Sequence, residues 1–154
     1  MRICNLFLIF LLAAAPGAFA IDTAKVSTPA HAKLSVRVID LRNSKGVEVC
    51  TLFGSSAANV FPDDVSAALR TVTAPVQFGA ATCEFADIPQ GTYAVVTFHD
   101  ENNNGQFDRD SLGLPKEEYG FSNSLRPRFE RPKFKEAAFE YKGGDQWLTI
   151  HIAN

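Results

Sequence analysis

This 154-residue chain lacks most of the marks that announce a chemistry. It has three cysteines, one tryptophan and one methionine, and neither Cys50 nor Cys83 lies in a CxxC pair or beside a histidine in sequence. No GxSxG, no HExxH and no phosphate-binding glycine loop is present, so the common esterase, zinc-protease and nucleotide-binding signatures are missing. A cationic excess is missing too. With 15 basic and 17 acidic side chains, the chain is unsuited to a nucleic-acid binder that draws its affinity from neutralising phosphates. There is no internal repeat and no convincing long helix, and beyond the first twenty residues no hydrophobic run is long enough to cross a bilayer.

What is present begins with a leader. Met1 to Ala20 carries one charge, Arg2, then the run Leu6 to Leu12, then small residues ending Ala18-Phe19-Ala20. This reads as a secretory signal peptide (1–20) cleaved after Ala20, which implies a periplasmic or extracellular protein. Cys4 precedes the apolar run instead of ending it, which argues against a lipoprotein. The mature chain keeps Cys50 and Cys83, has a formal net charge near −3, and is large enough to bury one core. In an oxidising compartment those two cysteines are expected to pair, closing a loop of about 33 residues. The competing reading is a reactive or metal-binding thiol pair.

Residues 21–32 lack periodicity and read as a flexible N-terminus, with one domain over 33–154. Leu34, Val36 and Val38 alternate with Ser35 and Arg37, the pattern of a half-buried strand. Asn43 to Gly46 supplies turn chemistry before a second strand at Val47 to Phe53, which suggests a hairpin. A short helical turn is expected in Asp63 to Arg70, capped by Asp63 or Asp64. Strands are expected around Val72–Phe78 and Ala81–Phe85. Gly91 to Asp100 is the strongest strand, apolar on both faces and hence central. Order returns at Phe134–Tyr141 and Trp147–Ile152. Short strands with turn signals between them predict an all-β, antiparallel β-sandwich of about seven strands, immunoglobulin-like or prealbumin-like, with one long functional loop.

That loop, Asp100 to Pro132, is where chemistry is expected, because structureless connections of such length are uncommon in compact domains. Asp100, Asn102, Asn104, Gly105 and Asp108 match positions 1, 3, 5, 6 and 9 of an EF-hand-type calcium loop, with the Gln106 carbonyl at position 7. A chain winding around a hard cation presents alternate residues inward, and glycine permits the sharp turn. Position 12 is Ser111, which offers no bidentate carboxylate, and a strand leads into the loop where an EF-hand has a helix. Asp110 or Glu117 could replace the missing ligand. Four carboxylates between Asp100 and Asp110 favour a cation, since crowding them without one raises repulsion. The alternative is a plain Asn/Gly-rich turn.

Two other readings attach to this segment. His99 with Asp100, Asp108 or Glu117 could supply acid–base pairs for a periplasmic hydrolase, although His99 reads more simply as an exposed or hydrogen-bonded strand residue. Leu125 to Lys135 holds five basic residues to one acid, with two phenylalanines. It could contact anionic lipid, lipopolysaccharide or glycan, or it could be a solvated connection whose phenylalanines fold back on the core.

Gly91-Thr-Tyr-Ala-Val, Phe98 to Asp108, Leu112 to Glu117, Tyr119 to Asn123, Pro132 to Phe134 and Ala137 to Phe139 together resemble the bacterial domain of unknown function 2141 family, from about Leu34 to Ile152. The resemblance implies a small exported bacterial protein and brings no activity with it. In the family pattern glycine often follows the equivalent of Glu117, where this chain has Glu118, a further charge beside the site. Phe85 to Tyr93 is similar to the strand entry of carboxypeptidase-regulatory and transthyretin-like sandwiches, which implies fold only. The expectation is an exported binding or structural module of the envelope, with Ca2+ held by Asp100, Asn102, Asn104, Gln106 and Asp108, Asp110 and Glu117 in reserve, and an unidentified envelope ligand or protein as partner.

Overall fold

A computed structural model describes residues 32–126 and 131–152. The leader at 1–20, the N-terminal segment up to residue 31, and part of the basic stretch at 127–130 lie outside the described residues.

Among the described residues, eight strands form two sheets. β1 (Lys33–Ile39), β4 (Ala81–Ala86) and β8 (Gln146–His151) make a three-stranded sheet in the order β4-β1-β8. β2 (Val47–Gly54), β3 (Arg70–Pro75), β5 (Gly91–Asp100) and β6 (Tyr119–Phe121) make the second in the order β3-β2-β5-β6, and β7 (Phe139–Tyr141) also pairs with β5. The all-β sandwich stands as expected.

Three local expectations are corrected. Despite the turn residues between them, β1 and β2 do not form a hairpin: β1 pairs with β4 and β8, and β2 with β3 and β5, so the Asn43–Gly46 segment crosses between sheets. Turn chemistry sets a reversal of direction, but burial of both inner faces decides which strands pair. The sheets are not wholly antiparallel, because β1 and β8 run parallel, with Val36 opposite Leu148. The loop at 100–132 carries β6 and a 3-10 turn, Ser122–Ser124, so it is less bare than its composition suggests.

Alternation places Leu34, Val36 and Val38 against Cys50, Leu52 and Val95 across the sandwich. A disulfide joins Cys50 on β2 to Cys83 on β4 with Cα atoms 6.4 Å apart, stapling the two sheets. The other face of the larger sheet is covered as well. Phe53, Ala94 and Phe121 on the strands meet Ala57 and Phe61 from the segment after β2, and Phe134 and Ala137 from a four-residue helix, α1 (Phe134–Ala137). The rings interlock edge to face, with Phe61 centred 5.2 Å from Phe53 and 5.8 Å from Phe134. β5 is therefore apolar on both sides, as a central strand covered twice must be. The expected helical turn is the 3-10 turn Val65–Ala67, capped by Asp64, whose carboxylate accepts from Ser66 N.

Candidate functional site

β5 ends by delivering Asp100, 1% exposed, to one end of the sandwich. The chain leaves through an Asn-rich turn, runs out along residues 106–110, reverses at 111–113 and returns to β6. Two backbone bonds hold the legs together: Lys116 N donates to the Asp108 carbonyl at 3.0 Å and Asp110 N to the Leu114 carbonyl at 2.9 Å. The acidic loop is thus a closed structure whose return leg brings Glu117 beside Asp108.

The sequence-picked residues separate into two groups. Asp100 accepts Asn104 N at 3.1 Å and Gly105 N at 2.7 Å, which pins the first turn of the loop. Asn104 Oδ1 accepts Gln106 N at 2.8 Å. The amides of Asn102 and Asn104 both reach the Asp108 carboxylate, at 2.8 and 3.2 Å. Asp108 N donates to Glu117 Oε2 at 3.1 Å. Gly105 has φ +72, the left-handed turn that the spacing requires of glycine there. Asp100, Asn102, Asn104, Asp108 and Glu117 therefore surround one another. Asp110 does not join them through any bond: its Oδ1 accepts Leu112 N and Leu114 N, capping its own reversal.

Glu117 carries the electrostatic signature. The residue is 7% exposed, and its Oε1 is buried without a well-formed hydrogen bond. Burial pushes its pKa up; the Asp108 and Glu101 amides oppose this, and repulsion from Asp100 and Asp108 pushes it up further. Glu101, at position 2, points elsewhere. Asn43 donates to it at 3.0 Å and Arg42 pairs with it, and these partners hold its pKa below the usual carboxylate value.

Beneath the loop lies a buried set of polar groups. His99 is fully buried, its Nε2 2.6 Å from the Lys45 carbonyl and its Nδ1 3.5 Å from Glu118 Oε2. The expectation of an exposed His99 fails, while that of a hydrogen-bonded one holds. Glu118, expected to add charge beside the site, is turned inward and accepts Arg42 N at 3.0 Å. Glu48, directly opposite His99 on β2, is also buried and hydrogen-bonds Thr97. Its pKa is pushed up to about 8, chiefly by burial, with the Thr97 bond opposing and Glu118 and Glu117 adding repulsion. In the basic half, Phe134 folds back onto the second layer, and Arg131 donates to the Val60 and Phe61 carbonyls and pairs with Asp63 at 3.1 Å.

The acids and amides gathered here carry the oxygens a hard cation such as Ca2+ takes, although Asn102 and Asn104 turn their amide nitrogens to Asp108. Among the described residues no group of three or more His, Cys, Asp or Glu side chains is arranged as metal ligands. The loop's own donors are two carboxylates and two amides, and a third carboxylate, Glu117, faces them from the return leg.

The fold and this loop define a class: an all-β sandwich with an oxygen-rich closed loop at one end of its central strand. The chain belongs to the DUF2141 family, described as an uncharacterized protein conserved in bacteria, whose model matches residues 36–149. No curated protein and no solved structure matches it.

Proposed function

We propose that this protein is an exported binding or structural module of the bacterial envelope, and that its acidic loop holds Ca2+ for stability. Asp100, Asn102, Asn104 and Asp108, with the Gln106 carbonyl and Glu117, would hold the ion. The ion would neutralise the crowded carboxylates and tie the two legs of the loop together. The observation that carries this reading is the buried Glu117, whose Oε1 makes no well-formed hydrogen bond and whose proton affinity Asp100 and Asp108 raise. A buried carboxylate oxygen without a well-formed hydrogen bond is costly, and a cation is the partner its like-charged neighbours favour.

Support for export is the leader sequence and the Cys50–Cys83 disulfide, a bond that persists in oxidising compartments. Among the described residues no helix is long and apolar enough to cross a membrane. The acid–base alternative draws nothing from the geometry, since the His99 ring is sealed from solvent and one nitrogen is held by a carbonyl.

Thermal unfolding in calcium and in chelator tests the reading. With dissociation constants of 10⁻⁴–10⁻³ M, about 10 mM Ca2+ adds roughly 1.4–2.7 kcal/mol and raises Tm by a few degrees. Glu117→Gln should keep or raise Tm in chelator, because repulsion is relieved, and should lose most of the calcium increment. Identical melting of the native protein in both conditions would sink the metal reading.

A further inference from the structure

The outer face of β5 carries a groove that the loop reading does not use. Its volume is about 720 Å³, within the roughly 300–1,000 Å³ of small-molecule sites. Val96 and Phe98 line its floor, Leu114 and Pro115 of the acidic loop one side, and Pro62 and Pro132 the other. Leu114 stands 58% exposed over the opening.

The polar groups in the lining are nearly all committed. The Thr51 hydroxyl bonds Thr71 at 3.1 Å, and that of Thr97 bonds Glu48 and the Val49 carbonyl. Arg131 is held by Asp63 and two carbonyls. Tyr119 is left with the one uncommitted hydroxyl among the described lining residues. A sugar needs many donors and acceptors, so the groove does not suit a glycan.

One charge is unpaired. Arg109 lies with its guanidinium carbon 5.0 Å from the centre of the Phe107 ring and donates to the Gly113 carbonyl at 3.0 Å. No carboxylate among the described residues lies within ion-pairing distance of it, and its remaining N–H groups are open at the groove's edge. A groove more apolar than polar, with one free guanidinium among its described lining residues, complements an apolar body with one anionic head.

We propose that this groove binds an apolar chain ended by a carboxylate, with the chain on Val96 and Phe98 and the head group on Arg109. This rests on the reading of the protein as a binding module, and not on the cation. It also gives the acidic loop a second role, because Phe107, Arg109, Leu114 and Pro115 all belong to it.

Dodecanoate, kept below its micelle concentration, is titrated into the purified protein in chelator by calorimetry, with dodecanol as the uncharged control; calcium, which precipitates the soap, is used only in the thermal unfolding. The expected result is saturable one-to-one binding of dodecanoate, at least tenfold tighter than dodecanol. Arg109→Gln should weaken dodecanoate at least tenfold and leave dodecanol unchanged. Leu114→Glu, at an exposed position, should abolish binding of both without lowering Tm. Absence of saturable binding overturns the proposal, and so does binding that is indifferent to both substitutions. Dodecanol binding as tightly as dodecanoate overturns the role of Arg109. A missing calcium effect on Tm together with intact dodecanoate binding removes the cation and leaves the groove standing.

Discussion

At Gly46 the chain turns with φ +60, and a Cβ there would collide with the carbonyl oxygen of Asp100. The crossing between sheets thus presses directly on the first residue of the acidic loop. Gly46→Ala adds left-handed strain to that collision, so it should destabilise by roughly 2 kcal/mol or more. It should also displace Asp100 and shrink the calcium increment in Tm, which thermal unfolding with and without the ion would read. Glu48 makes a different prediction. The unfolded chain releases this proton near pH 4.5, whereas the fold keeps it to about 8. The unfolded state therefore binds fewer protons across that window, and stability falls as pH rises through it. Glu48→Gln removes the titration. Denaturant midpoints in chelator should match the native protein near pH 4 and exceed it increasingly up to pH 8. A constant difference across that range would show that Glu48 does not titrate as the fold implies. No pattern in the sequence marks Glu48, because an acid between Val47 and Val49 reads as the solvent face of an edge strand until β2 is seen covered on both sides.

The acidic loop is the element whose chemistry was most legible beforehand. Its spacing alone places Asp100, Asn102, Asn104 and Asp108 on one turn, since residues so close in sequence have few ways to wind. Glu117 and Asp110 were equal reserves, and only the return leg separates them. Glu117 comes back beside Asp108, whereas Asp110 caps its own reversal. The two are expected to behave differently. Asp110→Ala should cost about 1 kcal/mol for its lost bonds to two amides and leave the calcium increment intact. Asp108→Ala should remove most of that increment. Equal calcium responses in the two variants would contradict the assignment. The same loop packs Phe107 against Phe98 and Tyr119, with ring centres 5.5 and 5.6 Å away, so its acidic and aromatic sides are joined through one short stretch of chain.

Across the whole molecule, the disulfide and the parallel β1–β8 pair close the sandwich. Cys50 and Cys83 are 33 residues apart in sequence and sit on different sheets. Replacing both with serine should lower stability by about 3–4 kcal/mol, by freeing the unfolded chain more than the folded one. Denaturant unfolding of the double variant, with the steeper slope that a freer unfolded chain gives, would confirm that size. A loss below about 1 kcal/mol would mean that packing between the sheets does the work alone.

Alternation and composition by themselves determined the strands other than β6, the doubly buried character of β5, the pairing of the two cysteines and the oxygen-rich turn. Each of these depends on neighbours within about ten residues, or on there being only one partner to choose. The tertiary structure decided which strands pair, that β1 and β8 run parallel, that Glu117 completes the acidic loop, and that His99, Glu48 and Glu118 are buried. Those outcomes depend on which distant faces must be shielded from water together, and burial of that kind leaves no local pattern in the chain.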